Sequence, residues 1–419
     1  MGLNANDRSI AGFTMLGHAL VHWFEMSIPI FLVVWRDDPG ATVVLAGLVI
    51  ALGYAPFGLG ALPGGVFADR FGPRRLILAC FAGMSGAFLV LSVADSMLTI
   101  ALALVLWGVG ASVYHPAGNA LISTGAERRG TVFAYHGIAG NVGIALGPFT
   151  AATLLVFFDW GIVAALLALP GLVGLAYGFR VDFDATAATE EDVEAGGTAL
   201  SLGTFLSNSK RLLLGGFVLV FVLVTFEGLF YRGVTTFLPE ILHDLPAMDG
   251  ITLSAGLQGF DPADYVFVGL LVVGMAGQYV GGKLTDRIAV ERGLLVIFGI
   301  LALLALAFVP AAALGLAPLL VLCALLGFFL FAIQPFYQVA VALYTPADTR
   351  GLSYGYTFLA EFGLGATSVA IGGFVLGAYS VATFFGLLSV FAVVAGLLAL
   401  ALLVGGERFA LLDEPEPTE

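Results

Sequence analysis

The sequence predicts an all-α integral membrane protein with twelve transmembrane helices arranged as two six-helix repeats. Of the 419 residues, 60% are hydrophobic and only 11% are charged, whereas about a quarter of the residues in soluble domains are charged. Apolar runs of about 20 residues, long enough to cross a bilayer, recur along the whole chain. Short motifs of the first half return in the second half.

Continuous apolar segments define the predicted helices, because runs such as 294–307 lack the alternation that is typical of barrel strands. The twelve predicted spans are 10–34, 42–67, 74–94, 97–123, 131–157, 160–179, 211–239, 264–284, 293–314, 317–345, 351–378 and 381–404. The polar stretch after the sixth span divides the helices six and six. The predicted organisation is an N-terminal bundle at 1–180, an acidic cytoplasmic linker at 181–210, a C-terminal bundle at 211–404 and an acidic cytoplasmic tail at 405–419.

The basic residues predict that both termini are cytoplasmic. Cytoplasmic loops carry an excess of Lys and Arg. With the N-terminus inside, all of the 16 Lys and Arg residues except Arg36 and Arg232 fall on the cytoplasmic side. This pattern predicts a multi-pass protein of the plasma membrane, surrounded by the lipid bilayer.

Several classes of function are disfavoured by the remaining composition. The net charge of -13 is carried largely by the linker and the tail. Cys80 and Cys323 lie in predicted helices of opposite halves, where packing is expected rather than a disulfide. The chain lacks the motifs of zinc proteases, P-loop ATPases and serine hydrolases. We predict no enzymatic activity, no cofactor and no nucleic-acid partner, and we expect a monomer.

Two motifs show that the halves are related. GGVFADR at 64–70 recurs as GGKLTDR at 281–287, each at the cytoplasmic end of the second helix of its half. YHPAG at 114–118 in the fourth predicted helix corresponds to IQPFY at 333–337 in the tenth, which is the fourth helix of its half. Parallel repeats of this kind are typical of secondary transporters, which bind their substrate between the two halves near the midplane.

At these motifs the chain resembles the major facilitator superfamily over essentially its whole length. The loop between helices 2 and 3 carries the resemblance, through Gly65, Asp69, Arg70, Gly72, Arg74 and Arg75. YHPAG followed by GIAGNVGIALGP at 137–148 is similar to the fosmidomycin-resistance type of efflux protein. GNVGIALGP also resembles the helix 5 signature of drug/proton antiporters. The resemblance implies the major facilitator fold and proton-coupled efflux.

Two segments are predicted to serve the conformational change. In the loop after helix 2 and its repeat, charged and small residues are expected to form a latch that changes partners between states. The latch candidates are Gly65, Asp69, Arg70, Arg74, Asp286 and Arg287. In helix 5, Gly143 and Gly147 before Pro148 predict a smooth, kinked face that packs closely. The alternatives are an ordinary basic turn and simple tight packing without a gating role.

The first helix carries ionisable residues that lipid would not tolerate. His18, His22 and Glu25 stand at i, i+4 and i+7, so they share one helical face over about 10 Å. Ionisable groups kept inside a membrane are candidates for function. A satisfied structural cluster is the alternative. The spacing also allows a metal ion shared by His18, His22 and Glu25, but we predict no metal.

Helix 7 supplies the counterpart in the second half. When FEMSIPIFL is aligned with YRGVTTFLP, Glu25 falls opposite Arg232, which predicts a pair across the cavity. Glu25 and Glu227 are both candidate proton carriers, because a carboxylate in an apolar cavity can exchange a proton near neutral pH. Of the two we favour Glu25. The other predicted binding residues are His115, His136, Gln334 and Glu361; for His115 and Glu361, structural hydrogen bonding is the alternative.

The leading hypothesis is a secondary active transporter that exports a small amphiphilic or anionic compound in exchange for protons. Proton-coupled uptake of a metabolite by the same fold is the main alternative, since shared motifs do not define direction. A membrane receptor or lipid-handling protein is the alternative of another class. The buried charges Glu25, Arg232 and Glu361 argue against that class.

Overall fold

The structure, a computed structural model, describes residues 3–35, 42–188, 202–248, 261–346 and 349–410. Within these ranges the chain is helical, and twelve helical stretches are long and apolar enough to cross a membrane. The predicted fold class and number of spans are therefore confirmed. We call the side where the first helix begins and the last helix ends the terminal face, and the other side the opposite face.

In the part of the chain that the structure describes, sixteen α-helices make up these spans and one connecting segment. Their bounds are α1 Ala5–Trp35, α2 Val43–Leu59, α3 Ala61–Phe71, α4 Pro73–Leu91, α5 Met97–Ala111, α6 Tyr114–Gly125, α7 Arg129–Leu155, α8 Trp160–Arg180, α9 Leu202–Leu214, α10 Phe217–His243, α11 Pro262–Thr285, α12 Val290–Ala313, α13 Leu316–Leu343, α14 Arg350–Phe358, α15 Thr367–Ala378 and α16 Val381–Ala410. A 3-10 turn covers Pro246–Met248 and a π-helical segment covers Leu359–Leu364.

Three spans that the sequence predicts as continuous are interrupted. The second span breaks at Gly60 and the fourth breaks at Ser112 and Val113. In each case a proline lies just downstream, Pro63 or Pro116, and its missing N–H leaves the carbonyl four residues earlier without a helical partner. In the eleventh span the π-helical segment separates α14 from α15.

The predicted boundaries are wrong at two further places. The seventh span begins at Phe217 rather than at 211, because residues up to Leu214 belong to the separate helix α9 and Gly215 and Gly216 interrupt the chain there. The last helix runs on to Ala410, so it includes the first residues of the predicted tail. Residues 411–419 of the tail and 189–201 of the linker lie outside the described residues.

The two halves meet along helices from each bundle. The contacts pair α1 with α10, α2 with α15 and the π-helical segment, α7 with α11, and α3 with α14. The approach is closest between Gly58 and Gly363, where a Cβ on Gly58 would lie 1.9 Å from the Gly363 nitrogen. Backbones can pack this tightly only where side chains are absent. Thr153 and Tyr265 join α7 to α11 at the opposite face through a 3.1 Å hydroxyl hydrogen bond.

Candidate functional site

An ion pair between the two halves lies at the centre of the bundle. Glu25 of α1 accepts a hydrogen bond from Arg232 of α10, and both side chains are fully buried. The Arg232 guanidinium carbon also lies 4.4 Å from the ring centroid of Tyr54 and 4.9 Å from that of Phe362. A carboxylate and aromatic faces together offset the cost of burying a cation away from water.

All four predicted intramembrane histidines converge beside this ion pair. His22 donates from Nδ1 to Glu25 at 2.5 Å, and His18 donates from Nδ1 to the carbonyl of His136 at 2.8 Å. The His18 ring stacks on the His136 ring with centroids 4.0 Å apart. His115 stands edge-on to the rings of His18 and His22 at 5.3 and 5.5 Å. The residues come from α1, α6 and α7, so the cluster belongs to the N-terminal half.

Aromatic side chains close this cluster on two sides. The Tyr114 hydroxyl donates to the carbonyl of Thr14 and lies 3.2 Å from Nε2 of His136. On the other side the rings of Phe358 and Phe362, which come from the C-terminal half, lie 5.0 and 5.7 Å from the His115 ring. His22, His115 and His136 are buried in this conformation, whereas His18 is partly exposed.

Two carboxyl groups lie in the C-terminal half and differ in their contacts. Glu361, in the π-helical segment, accepts a hydrogen bond from Tyr337 at 2.9 Å. Glu227 of α10 is 1% exposed, and neither of its carboxyl oxygens has a hydrogen-bond partner among the described residues. The two elements are in backbone contact, since a Cβ on Gly228 would lie 2.6 Å from the carbonyl oxygen of Glu361.

Gln334 is the predicted binding residue that the structure ties to a different neighbour. It accepts a hydrogen bond from Gln278 of α11 at 3.2 Å. Both glutamines belong to the C-terminal half. The contact therefore joins α11 to α13 rather than linking Gln334 to the central ion pair.

The predicted latch residues lie at the terminal face and do not share one set of contacts. Arg74 donates to the carbonyls of Gly178 and Val181 at 3.0 and 2.7 Å, and so holds the end of α8 within the same half. Gly65, Arg70, Asp286 and Arg287 are exposed. The side chain of Asp69 lies outside the described part of the structure. The latch remains a prediction.

The glycines of the fifth predicted span, which is α7 in the structure, face the backbone of α1. A Cβ on Gly143 would lie 2.0 Å from the carbonyl oxygen of Ala19, and a Cβ on Gly147 would lie 2.3 Å from that of Trp23. Pro148 follows within the same helix. Side chains at these positions would force the two helices apart, and α1 carries Glu25 of the ion pair and two of the histidines.

Replacement of Gly143 by Ala is therefore expected to lower the free energy of unfolding by about 1 to 3 kcal/mol through overpacking. Gly137 in the same helix is the matched control, because nothing lies within 4 Å of a Cβ built there and Ala is the better helix former. Thermal unfolding of both variants in detergent provides the measurement. Equal stability of the two variants would contradict the close packing of α7 on α1.

Sequence reasoning missed the aromatic residues that surround the charges. Tyr54 donates to the backbone carbonyl of Glu25 at 3.1 Å as well as covering Arg232, and Tyr337 holds Glu361. Tyr114 stands directly before His115 in the YHPAG motif, so the motif itself carried a signal. Tyr337 ends the corresponding IQPFY motif, whereas for Tyr54 the available signal was only a polar hydroxyl within an apolar run.

Comparison with known proteins agrees with this architecture. A sequence profile described as Major Facilitator Superfamily matches residues 14–369. A Na(+), Li(+), K(+)/H(+) antiporter of Planococcus maritimus is 26% identical over 194 residues, which are 45% of this chain and 45% of the relative. Multidrug resistance protein MdtH of Yersinia enterocolitica is 28% identical over 191 residues, which are 43% of this chain and 47% of the relative. The matches thus span less than half the length of these curated relatives.

Solved structures of transporters share the fold. A bacterial homolog of the human lysosomal transporter Spinster, inward-facing and unoccupied, superposes with a TM-score of 0.75 at 14% identity and full coverage of both chains. A D-xylose-proton symporter superposes with a TM-score of 0.69 at 17% identity, covering 95% of this chain and 97% of the symporter. At these identities the likeness concerns the fold alone. Because this profile matches most of the chain, the chain belongs to the Major Facilitator Superfamily.

Proposed function

We propose that this chain is a proton-coupled transporter of the plasma membrane that exports a small amphiphilic or anionic compound by alternating access. The observation that carries the proposal is the buried set of charged groups where the two halves meet. Residues that only packed the bundle would be apolar, because an ionisable group in the middle of a membrane is costly. The set combines an ion pair between halves with the carboxyl group of Glu227, which has no hydrogen-bond partner among the described residues.

The Glu25–Arg232 ion pair is placed where its contacts would differ between the closed and the open conformation. Its two members belong to different halves, so a rocking motion that opens the centre changes their separation or lets water reach them. A buried pair gains from mutual attraction only while its geometry is kept. We infer that the pair stabilises the closed centre and that its exchange for contacts with substrate or water accompanies opening.

Glu227 is the better candidate for carrying the proton, which reverses the order of preference that we derived from the sequence. Both oxygens of Glu25 are engaged, one by Arg232 and one by His22. Those of Glu227 are buried without partners in the described structure, and a bare carboxylate in such a place is strongly unfavourable. A proton on Glu227 removes this cost. The proton can leave when opening admits water.

The lining of the centre supports an amphiphilic or anionic cargo. Arg232 offers a positive charge, and Tyr54, Tyr231 and Phe362 offer aromatic faces within 6 Å of its guanidinium carbon. Opening would exchange Glu25 for another anion at this cation. Export is supported by the relatives named as an antiporter and as a multidrug resistance protein. The basic residues support a cytoplasmic position for both termini.

A susceptibility screen tests direction and cargo together. Cells that express the chain are compared with cells that lack it on toxic compounds of three kinds: anionic phosphonates such as fosmidomycin, amphiphilic cations such as ethidium, and toxic sugar analogues. We expect expression to raise resistance to compounds of the first or second kind. Greater sensitivity on expression would indicate uptake and contradict export. A chain with Glu227→Gln, which should fold because Glu227 has no polar partner to lose among the described residues but should lose proton-driven transport, serves as the control for expression effects.

A further inference from the structure

The histidine cluster contains two ring nitrogens that face each other without a hydrogen to share. Nδ1 of His18 meets a backbone carbonyl and Nδ1 of His22 meets the carboxylate that accepts from Arg232, so both Nδ1 atoms must be donors. A neutral imidazole carries only one N–H. Both Nε2 atoms are then bare acceptors, yet they lie 3.1 Å apart. Two lone pairs at this distance repel each other unless a cation lies between them.

His115 makes this a site with three ligands. One ring nitrogen from each of His18, His22 and His115 lies within 4.8 Å of the other two. Imidazole nitrogens bound to one tetrahedral zinc ion at 2.0–2.1 Å are about 3.3 Å apart. The His18–His22 separation already fits this value. A shift of roughly 1.5 Å or less, within the reach of a rotation of the His115 ring, would complete the set.

The groups behind the ligands are those that metal-binding histidines require. A histidine that binds a metal usually donates its other N–H to a carboxylate or a backbone carbonyl, which fixes the ring and its tautomer. Glu25 does this for His22, and the His136 carbonyl does it for His18. His22 and His115 are also less than a tenth exposed. His18 and His22 are therefore oriented in advance, and His22 and His115 are shielded from water.

We propose that His18, His22 and His115 bind one divalent transition-metal ion, with Zn²⁺ as the first candidate. Imidazole ligands suit zinc and its first-row neighbours, and three protein ligands leave one position of a tetrahedral ion for water or an anion. Glu25 is already balanced by Arg232, so the site carries no spare negative charge and an anion would be favoured there. The inference revises our prediction of no metal, and it goes beyond the proposed function because binding is measured without transport.

Metal binding by the purified full-length protein tests the proposal. Chelator-stripped protein in detergent is titrated with Zn²⁺ in competition with a chromophoric chelator, and with Co²⁺ followed by its visible absorption. We expect one ion per chain and a tetrahedral Co²⁺ spectrum. His18→Gln, His22→Gln and His115→Gln should each weaken binding by more than about 100-fold, the upper range for loss of a supporting group.

Two controls separate loss of a ligand from collapse of the cluster. His136→Gln keeps the backbone carbonyl that orients His18 and should retain the ion. His243→Gln removes the exposed histidine that lies 2.8 Å from Asp261, the place where a surface ion would bind, and should also retain it. Size-exclusion profiles check that each variant is folded.

X-ray absorption of the Zn²⁺-loaded wild-type protein needs no variant. The proposal requires a first shell with three imidazole nitrogens. A shell dominated by carboxylate oxygens, binding that disappears in His243→Gln, or no binding of Zn²⁺ or Co²⁺ at pH 8 would overturn it. In the last case the cation between the two Nε2 atoms is a proton.

Discussion

Replacement of Glu25 by Gln is expected to lower the free energy of unfolding by about 3 to 5 kcal/mol, the usual cost of removing one member of a buried ion pair. The variant keeps the shape of the side chain but leaves Arg232 buried with an unbalanced charge. The aromatic faces of Tyr54 and Phe362 remain but stabilise a cation by only about 0.5 to 2 kcal/mol. Unfolding in detergent, followed by heat or by a denaturing surfactant, provides the measurement.

The double variant Glu25→Gln with Arg232→Met tests the cause of this loss. Removing both charges and filling the space with an apolar chain is often neutral or stabilising, so most of the lost stability should return. Glu291→Gln is the matched control: its carboxyl accepts from the Tyr344 hydroxyl at 2.7 Å, and an amide oxygen can accept the same bond. A double variant as unstable as Glu25→Gln would show that the pair is not what stabilises the centre.

Replacement of Glu227 by Gln is expected to abolish accumulation driven by a pH gradient. One proton moving across one pH unit supplies about 1.4 kcal/mol, enough for a tenfold concentration ratio. A neutral amide imitates the protonated carboxyl but cannot release the proton. The ratio should therefore fall from about tenfold per pH unit to about one. The variant should fold, since Glu227 has no polar partner to lose among the described residues.

Accumulation is measured in vesicles that contain the protein. Exchange of labelled for unlabelled compound across the membrane of the same vesicles is the internal control. Exchange requires alternating access but no net proton movement, so Glu227→Gln should retain it. Glu361→Gln is the matched variant, because its amide can still accept from Tyr337, as the carboxyl does at 2.9 Å. Normal accumulation by Glu227→Gln would return the proton role to Glu25.

The membrane fold could be predicted from the sequence because apolar runs report burial directly. The pair of Glu25 and Arg232 could also be predicted, since alignment of the two repeats placed them opposite each other. The first inference uses a local property of the chain, and the second uses the repeat between its two halves. The breaks at Gly60 and Ser112 needed the further step of asking which carbonyl each downstream proline leaves without a partner.

The contents of the site depended on tertiary packing that no local pattern reports. The i, i+4 spacing placed His18 and His22 on one face, but it gave no position for His115, which comes from α6. The π-helical segment Leu359–Leu364 had no warning in the sequence, although it brings Glu361 against Gly228. Glu25 and Glu227 looked alike in the sequence, and only their neighbours distinguish them.

The most direct test of the central claim, that this transporter exchanges its cargo for protons, is a simultaneous record of both fluxes. Purified protein is placed in liposomes that enclose a pH-sensitive dye, and a compound identified by the susceptibility screen is added outside in labelled form. We predict that compound and protons move in opposite directions at a constant ratio, and that liposomes without protein show neither flux. Movement of the compound at the same rate with and without a pH gradient, and without proton flux, would contradict the account.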